Sequence, residues 1–89
     1  KLYQNYPNPF NPVTTISYDI IKDGYVELFI YNSAGKLVNE LVAGHKTSGK
    51  KLITWNGTDQ NQNLLPSGLY IYTIKTGGFT STRKMILMK

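Results

Sequence analysis

The sequence predicts an all-β sandwich of short antiparallel strands. Apolar residues recur at every second position in segment after segment. Turn-forming clusters of Gly, Pro, Asn and Asp interrupt them roughly every 8–12 residues, and no stretch carries the 3.6-residue period of a helix. The 89 residues give room for one domain, read as residues 1–89. A fold of this size buries only about 60–65% of the surface its unfolded chain exposes. The core must therefore take most of the apolar side chains, and little remains to wall a deep cleft. Seven tyrosines and a single tryptophan suit half-buried strands better than helices.

The first dozen residues end in Tyr6-Pro7-Asn8-Pro9-Phe10-Asn11-Pro12. Proline lacks a backbone donor and pushes its predecessor into extended geometry, so residues 1–12 read as an extended, ordered segment. Tyr6 and Phe10 are its expected anchors. Thr14 to Ile20 alternates cleanly, with Ile16, Tyr18 and Ile20 on one face. Lys22-Asp23-Gly24 turns the chain into a second strand, Tyr25 to Tyr31, with Val26, Leu28 and Ile30 inward. Asn32 to Gly35 is a tight turn whose glycine is free to take positive φ. The third strand, Lys36 to Val42, breaks its alternation at Asn39-Glu40, which predicts a bulge or an edge. Ala43 to Gly49 reads as a polar loop.

Lys50 to Trp55 forms the fourth strand, with Ile53 and Trp55 inward, and Asn56 to Asn63 a long turn opened by Asn-Gly. Trp55 is the expected centre of the core. Leu69 to Thr76 follows, with Tyr70, Tyr72 and Ile74 on one face, and Gly77-Gly78 closes a hairpin. The last strand, Phe79 to Met88, places Arg83, Met85 and Leu87 on one side and Lys84, Ile86 and Met88 on the other. Apolar residues on both sides predict cover on both faces.

Ten basic and five acidic residues give a net charge of +5. Nine of the ten bases are lysines spread along the chain, rather than arginine forks or a basic stripe. Solubility and edge protection explain them better than nucleic-acid binding, although an anionic partner stays open. No cysteine is present, which excludes disulfides and thiolate chemistry. No apolar run is long enough to span a bilayer. Lys1-Leu2-Tyr3-Gln4 resembles arrival from a preceding linker rather than a signal peptide, so the chain reads as a piece of something longer.

Catalytic constellations are thin. His45 is the only histidine and has no cysteine or second histidine to work with. Asp19, Asp23, Glu27, Glu40 and Asp59 are the five acids, and nothing in their spacing forces a carboxylate pair. Asp59-Gln60-Asn61-Gln62-Asn63 matches the opening of a calcium loop. Leu64 replaces the glycine at that loop's sixth position, and Tyr70 falls where its last glutamate would be. Asx-turn hydrogen bonding is the better reading. Asn56-Gly57-Thr58 is a glycosylation sequon in spelling alone. Tyr3, Tyr6, Tyr25, Tyr31 and Phe79 could stack on sugars, but strand alternation already offers them packing roles. No cofactor is expected.

Tyr6 to Pro12 followed by Thr14-Thr15-Ile16-Ser17-Tyr18 resembles the opening of type A C-terminal sorting domains of the type IX secretion system. The resemblance continues through Val26 to Val38, Trp55 to Asp59 and Pro66 to Tyr72. It closes at Arg83 to Lys89, which is similar to that family's terminal lysine-plus-apolar motif. The middle part is also similar to the immunoglobulin-like domain of flagellar hook-capping proteins. Asn61-Gln62-Asn63 departs from the sorting family's usual glycine.

The resemblance implies an immunoglobulin-like antiparallel β-sandwich of about seven strands, carried behind an upstream passenger domain. It also implies export through the periplasm to the cell surface or medium, contact with outer-membrane secretion machinery, and removal by a sortase-like protease. Carried onto this chain, partner recognition falls on Gly68, Tyr70, Lys84, Met85, Ile86, Leu87, Met88 and Lys89. Gly35 and Val38 belong to another family block but are equally explained by turn and core. Strand addition along the final strand would be a fitting mechanism. The alternatives are an adhesive or carbohydrate-binding accessory of a secreted hydrolase, and a flagellar hook-capping assembly domain.

Overall fold

The computed structural model describes residues 1–89. Six strands form: β1 (Thr14–Ile20), β2 (Gly24–Asn32), β3 (Leu37–Lys46), β4 (Gly49–Trp55), β5 (Gly68–Thr76) and β6 (Phe79–Leu87). They make two antiparallel sheets, β1–β4 and β3–β2–β5–β6. The alternating residues meet between the sheets as expected. Ile16, Tyr18 and Ile20 of β1 face Val26, Leu28 and Ile30 of β2, with Tyr70, Tyr72 and Ile74 of β5, in one buried cluster. Each such side chain contributes about 1.5–3 kcal/mol when fully buried. Gly35 sits at φ 83° in the β2–β3 turn, as its position predicts.

Six strands stand where the family resemblance implies about seven. The leading segment takes the remaining place without becoming a strand, because its prolines cannot donate to a ladder. It makes isolated bridges instead: Leu2 to Tyr18, Tyr6 to Thr15, and Phe10 in parallel to Leu87. Phe10 is fully buried as expected, but Tyr6 is not an anchor and lies 81% exposed. Its backbone exchanges both hydrogen bonds with Thr15, which leaves the ring outside. Leu2 and Asn5 are the other buried anchors. The Asn5 amide N–H donates to the Tyr72 hydroxyl (2.8 Å), and that hydroxyl donates to the Tyr3 carbonyl (2.8 Å).

The third strand runs on to Lys46 instead of stopping at Val42. Ala43 to Lys46 carries no apolar signal, yet β2 pairs with it residue by residue, Glu27 to Ala43 and Tyr25 to His45. The loop shrinks to Thr47 and Ser48, with the Ser48 N–H donating to Asp23 Oδ1 at 2.7 Å. The broken alternation resolves as two register shifts, which leave Val38 and Leu41 as the extra residues. Both extra side chains pack against the core margin. Asn39 turns inward, and its Nδ2 donates to the Thr58 carbonyl (2.8 Å).

Candidate functional site: the tail hairpin

The sequence-predicted recognition residues converge on the open end of the β5–β6 hairpin. Gly68 pairs with Leu87, Leu69 with Ile86, Tyr70 with Met85, and Ile71 with Lys84. Period-two geometry then divides them. Tyr70, Met85 and Leu87 point inward and are buried. Tyr70 meets Trp55 edge-on at 5.6 Å, and Trp55 meets Phe10 at 5.6 Å. The Tyr70 hydroxyl donates to the Pro66 carbonyl (2.7 Å), and burial raises its pKa above the ordinary tyrosine value. Gly68 begins β5 at φ 155°, with open space where a side chain would project. The backbone rather than crowding therefore selects glycine there.

The other half faces solvent. Lys84 and Lys89 are exposed, Ile86 is 43% and Met88 54% exposed. The expected cover on both faces of the last strand is thus absent: the second face is an open row of lysine and apolar side chains. Lys89 is tied down by its N–H donating to Ser67 Oγ at 3.0 Å.

The outer backbone edge of β6 is already occupied from Lys84 onward. Phe10 N–H donates to the Ile86 carbonyl (3.0 Å), and Met88 N–H to the Phe10 carbonyl (2.9 Å). The Ile86 N–H donates to Asn8 Oδ1 (3.0 Å), and Gln4 Nε2 donates to the Lys84 carbonyl (2.8 Å). Arg83 Nε reaches the Leu2 carbonyl at 2.8 Å. Strand addition at β6, the expected mechanism, would first have to strip away the leading segment.

The remaining candidates stay apart. His45 lies exposed in β3, its ring edge-on to Tyr25 at 5.5 Å. Asp59 Oδ1 accepts the Asn61 and Asn63 N–H groups, each at 2.9 Å, which is the Asx-turn arrangement. Those bonds hold the Asp59 carboxyl below its ordinary value. Asp19 accepts the Tyr3 hydroxyl. No three His, Cys, Asp or Glu side chains gather where a metal could bind. Tyr25 and Phe79 flank one shallow hollow, whereas Tyr3, Tyr6 and Tyr31 lie elsewhere, so the exposed aromatics form no row.

The FlgD Ig-like domain family matches residues 22–78. No curated protein sequence matches the chain. Among solved structures, dimeric latent PorU from Porphyromonas gingivalis is similar over 97% of this chain and 9% of its own, with 22% identity and a TM-score of 0.72. PorZ of the same organism, described as an essential bacterial surface component of the type IX secretion system, is similar over 99% of this chain and 11% of its own (19% identity, TM-score 0.70). FlgD from Xanthomonas campestris, described through hook capping in flagellar assembly, is similar over 89% of this chain and 58% of its own (21% identity, TM-score 0.66). The chain therefore spans about a tenth of the first two and just over half of the third, and at these identities the likeness concerns the fold. With more than half of its length matched and its strands laid out as an immunoglobulin-like sandwich, the chain belongs to the FlgD Ig-like domain family.

Proposed function

We propose that this domain is a non-catalytic sorting module at the C-terminal end of a larger exported protein, read by a type IX secretion machinery. One observation carries the reading. The family match leaves out residues 1–21 and 79–89, and these two pieces pack on each other as the leading segment along β6. The likeness to PorU and PorZ extends over nearly the whole chain, these pieces included. In this reading Lys84, Ile86, Met88 and Lys89 are the readable row. Met85, Leu87 and Tyr70 hold that row in place, and Gly68 lets β5 start where it must. The passenger lies upstream, and a sortase-like protease acts after passage from the periplasm to the surface or medium.

A reporter fused ahead of residues 1–89 should reach the medium in a type IX host. A Lys84→Glu/Ile86→Ser/Met88→Ser variant should leave it in the periplasm without lowering the melting temperature. Deleting residues 84–89 should also block export, but it strips Met85 and Leu87 from the core, so the surface variant is the cleaner test. Wild-type reporter held in the periplasm of a host that exports its native passengers would sink the reading.

The family match favours a second reading, a hook-capping assembly domain. Grafting residues 1–89 in place of the immunoglobulin-like domain of a flagellar hook cap would restore motility in that case. A sugar-binding role finds no support in the scattered aromatics.

A further inference from the structure

We infer that the free edge of β4 is a docking site for an extended acidic peptide segment, which it would take up by strand addition. The inference does not depend on the sorting reading. β1 and the Lys84–Leu87 end of β6 are covered by the leading segment. β3 is interrupted by its two bulges and by Gln60, whose N–H donates to the Val38 carbonyl (3.0 Å) while its Oε1 accepts the Glu40 N–H (2.8 Å). β4 offers the longest regular run with one vacant side, seven residues that pair with β1 only.

Register identifies the vacant groups. On β1, Thr15, Ser17 and Asp19 bond outward to the leading segment. The alternate residues of β1 must therefore bond to β4, through their partners Trp55, Ile53, Lys51 and Gly49. Lys50, Leu52 and Thr54 then turn both their N–H and C=O groups to the open side. All three are exposed, and no other part of the chain pairs with these groups. A regular unpaired edge is a ready template for another strand.

Side chains state what that strand should carry. The hollow between the edges of β4 and β3 measures about 570 Å³. Tyr18, Leu41 and Ile53 give it an apolar floor, and Lys46, Lys50 and Lys51 line it with no acid among the lining residues. Lys51 Nζ is oriented by a 2.9 Å hydrogen bond to Thr47 Oγ1. Lys50, opposite Asp19 in register, has its Nζ 5.6 Å from the Tyr3 ring, whereas Lys46 and Lys51 stand opposite Gly24 and Tyr18 with no acid in register. A second copy of this chain paired edge to edge would align both sets of lysines along one seam, which like-charge repulsion opposes. An acidic strand alternating with apolar residues meets both walls, and the lysines that repel a basic or identical edge then select for it.

The test is amide hydrogen exchange by NMR on the 89-residue chain, with a blocked peptide alternating glutamate and valine, matched to the seven residues of β4. Saturating peptide should slow exchange at Lys50, Leu52 and Thr54 by at least about tenfold. Lys51 and Ile53, already bonded to β1, should not change. The same peptide N-methylated along one edge should give no protection, nor should a lysine–valine peptide. The Lys46→Glu/Lys50→Glu/Lys51→Glu variant should lose the response. Should that variant misfold, Leu52→Pro serves instead, because an edge strand tolerates proline where its N–H faces solvent. Unchanged exchange with the acidic peptide would overturn the inference and leave the lysines as edge protection only. Equal binding of the N-methylated peptide would overturn it as well. So would a response to anionic phosphatidylglycerol vesicles combined with none to the peptide.

Discussion

Trp55 joins three parts of the chain that are remote in sequence. Its ring lies 5.6 Å from Phe10 and from Tyr70, and its Nε1 donates to the Thr58 carbonyl at 2.9 Å. Trp55→Ala should destabilise the domain by about 3–5 kcal/mol, read from urea unfolding by circular dichroism. That is a large share of what such a domain possesses. Tyr72 is the quieter case. Its hydroxyl is the acceptor for the buried Asn5 N–H, so Tyr72→Phe should cost about 1–3 kcal/mol with little change in packing. The role of Trp55 was legible from its place at a strand end before Asn-Gly. That of Tyr72 was not, because alternation indicates the face a residue takes and not the partner 67 residues away.

Among the elements, β1, β2 and β5 were legible because their period-two patterns run uninterrupted. β3 was legible only as a disturbance. Leu37, Val38, Leu41 and Val42 fit no single face until two bulges insert Val38 and Leu41. Its last four residues have no local signal and are strand only because β2 supplies a ladder, a case of tertiary pairing overriding local preference. The candidate site behaved similarly. Its positions along the tail were readable, but not the division into a buried half and an exposed half. That division depends on the buried cluster lying against one face of the hairpin while nothing covers the other. The leading segment is the element with the sharpest prediction. Removing residues 1–10 strips Leu2 and Phe10 from the core and bares the outer edge of β6. The truncated chain should lose more than the about 3–5 kcal/mol expected of Phe10→Ala alone. It should also self-associate where the intact chain does not, as measured by sedimentation.

For the molecule as a whole, titration should show how widely burial is shared. Desolvation raises the pKa of Tyr18, Tyr70 and Tyr72 above the ordinary value near 10, and Tyr3 is raised chiefly by its hydrogen bond to Asp19. Above that pH the unfolded chain loses these protons first. Stability present below pH 10 should therefore fall as pH climbs through the folded values. A series of melting temperatures against pH should show this alkaline decline, shallower in Tyr72→Phe. Asp59 works in the opposite sense, supporting the fold above its ordinary value near 3.8 and ceasing to as acid protonates it. Beyond titration, the contact between Phe10 and Ile86, Leu87 and Met88 orders events in time. A ribosome delivers the first of these partners well before the last. Until the final turn of sequence arrives, Phe10 has no strand to lie along and the hydrophobic interior stays unsealed at that side. Completion of this domain thus reports that every residue from Lys1 to Met88 has been delivered.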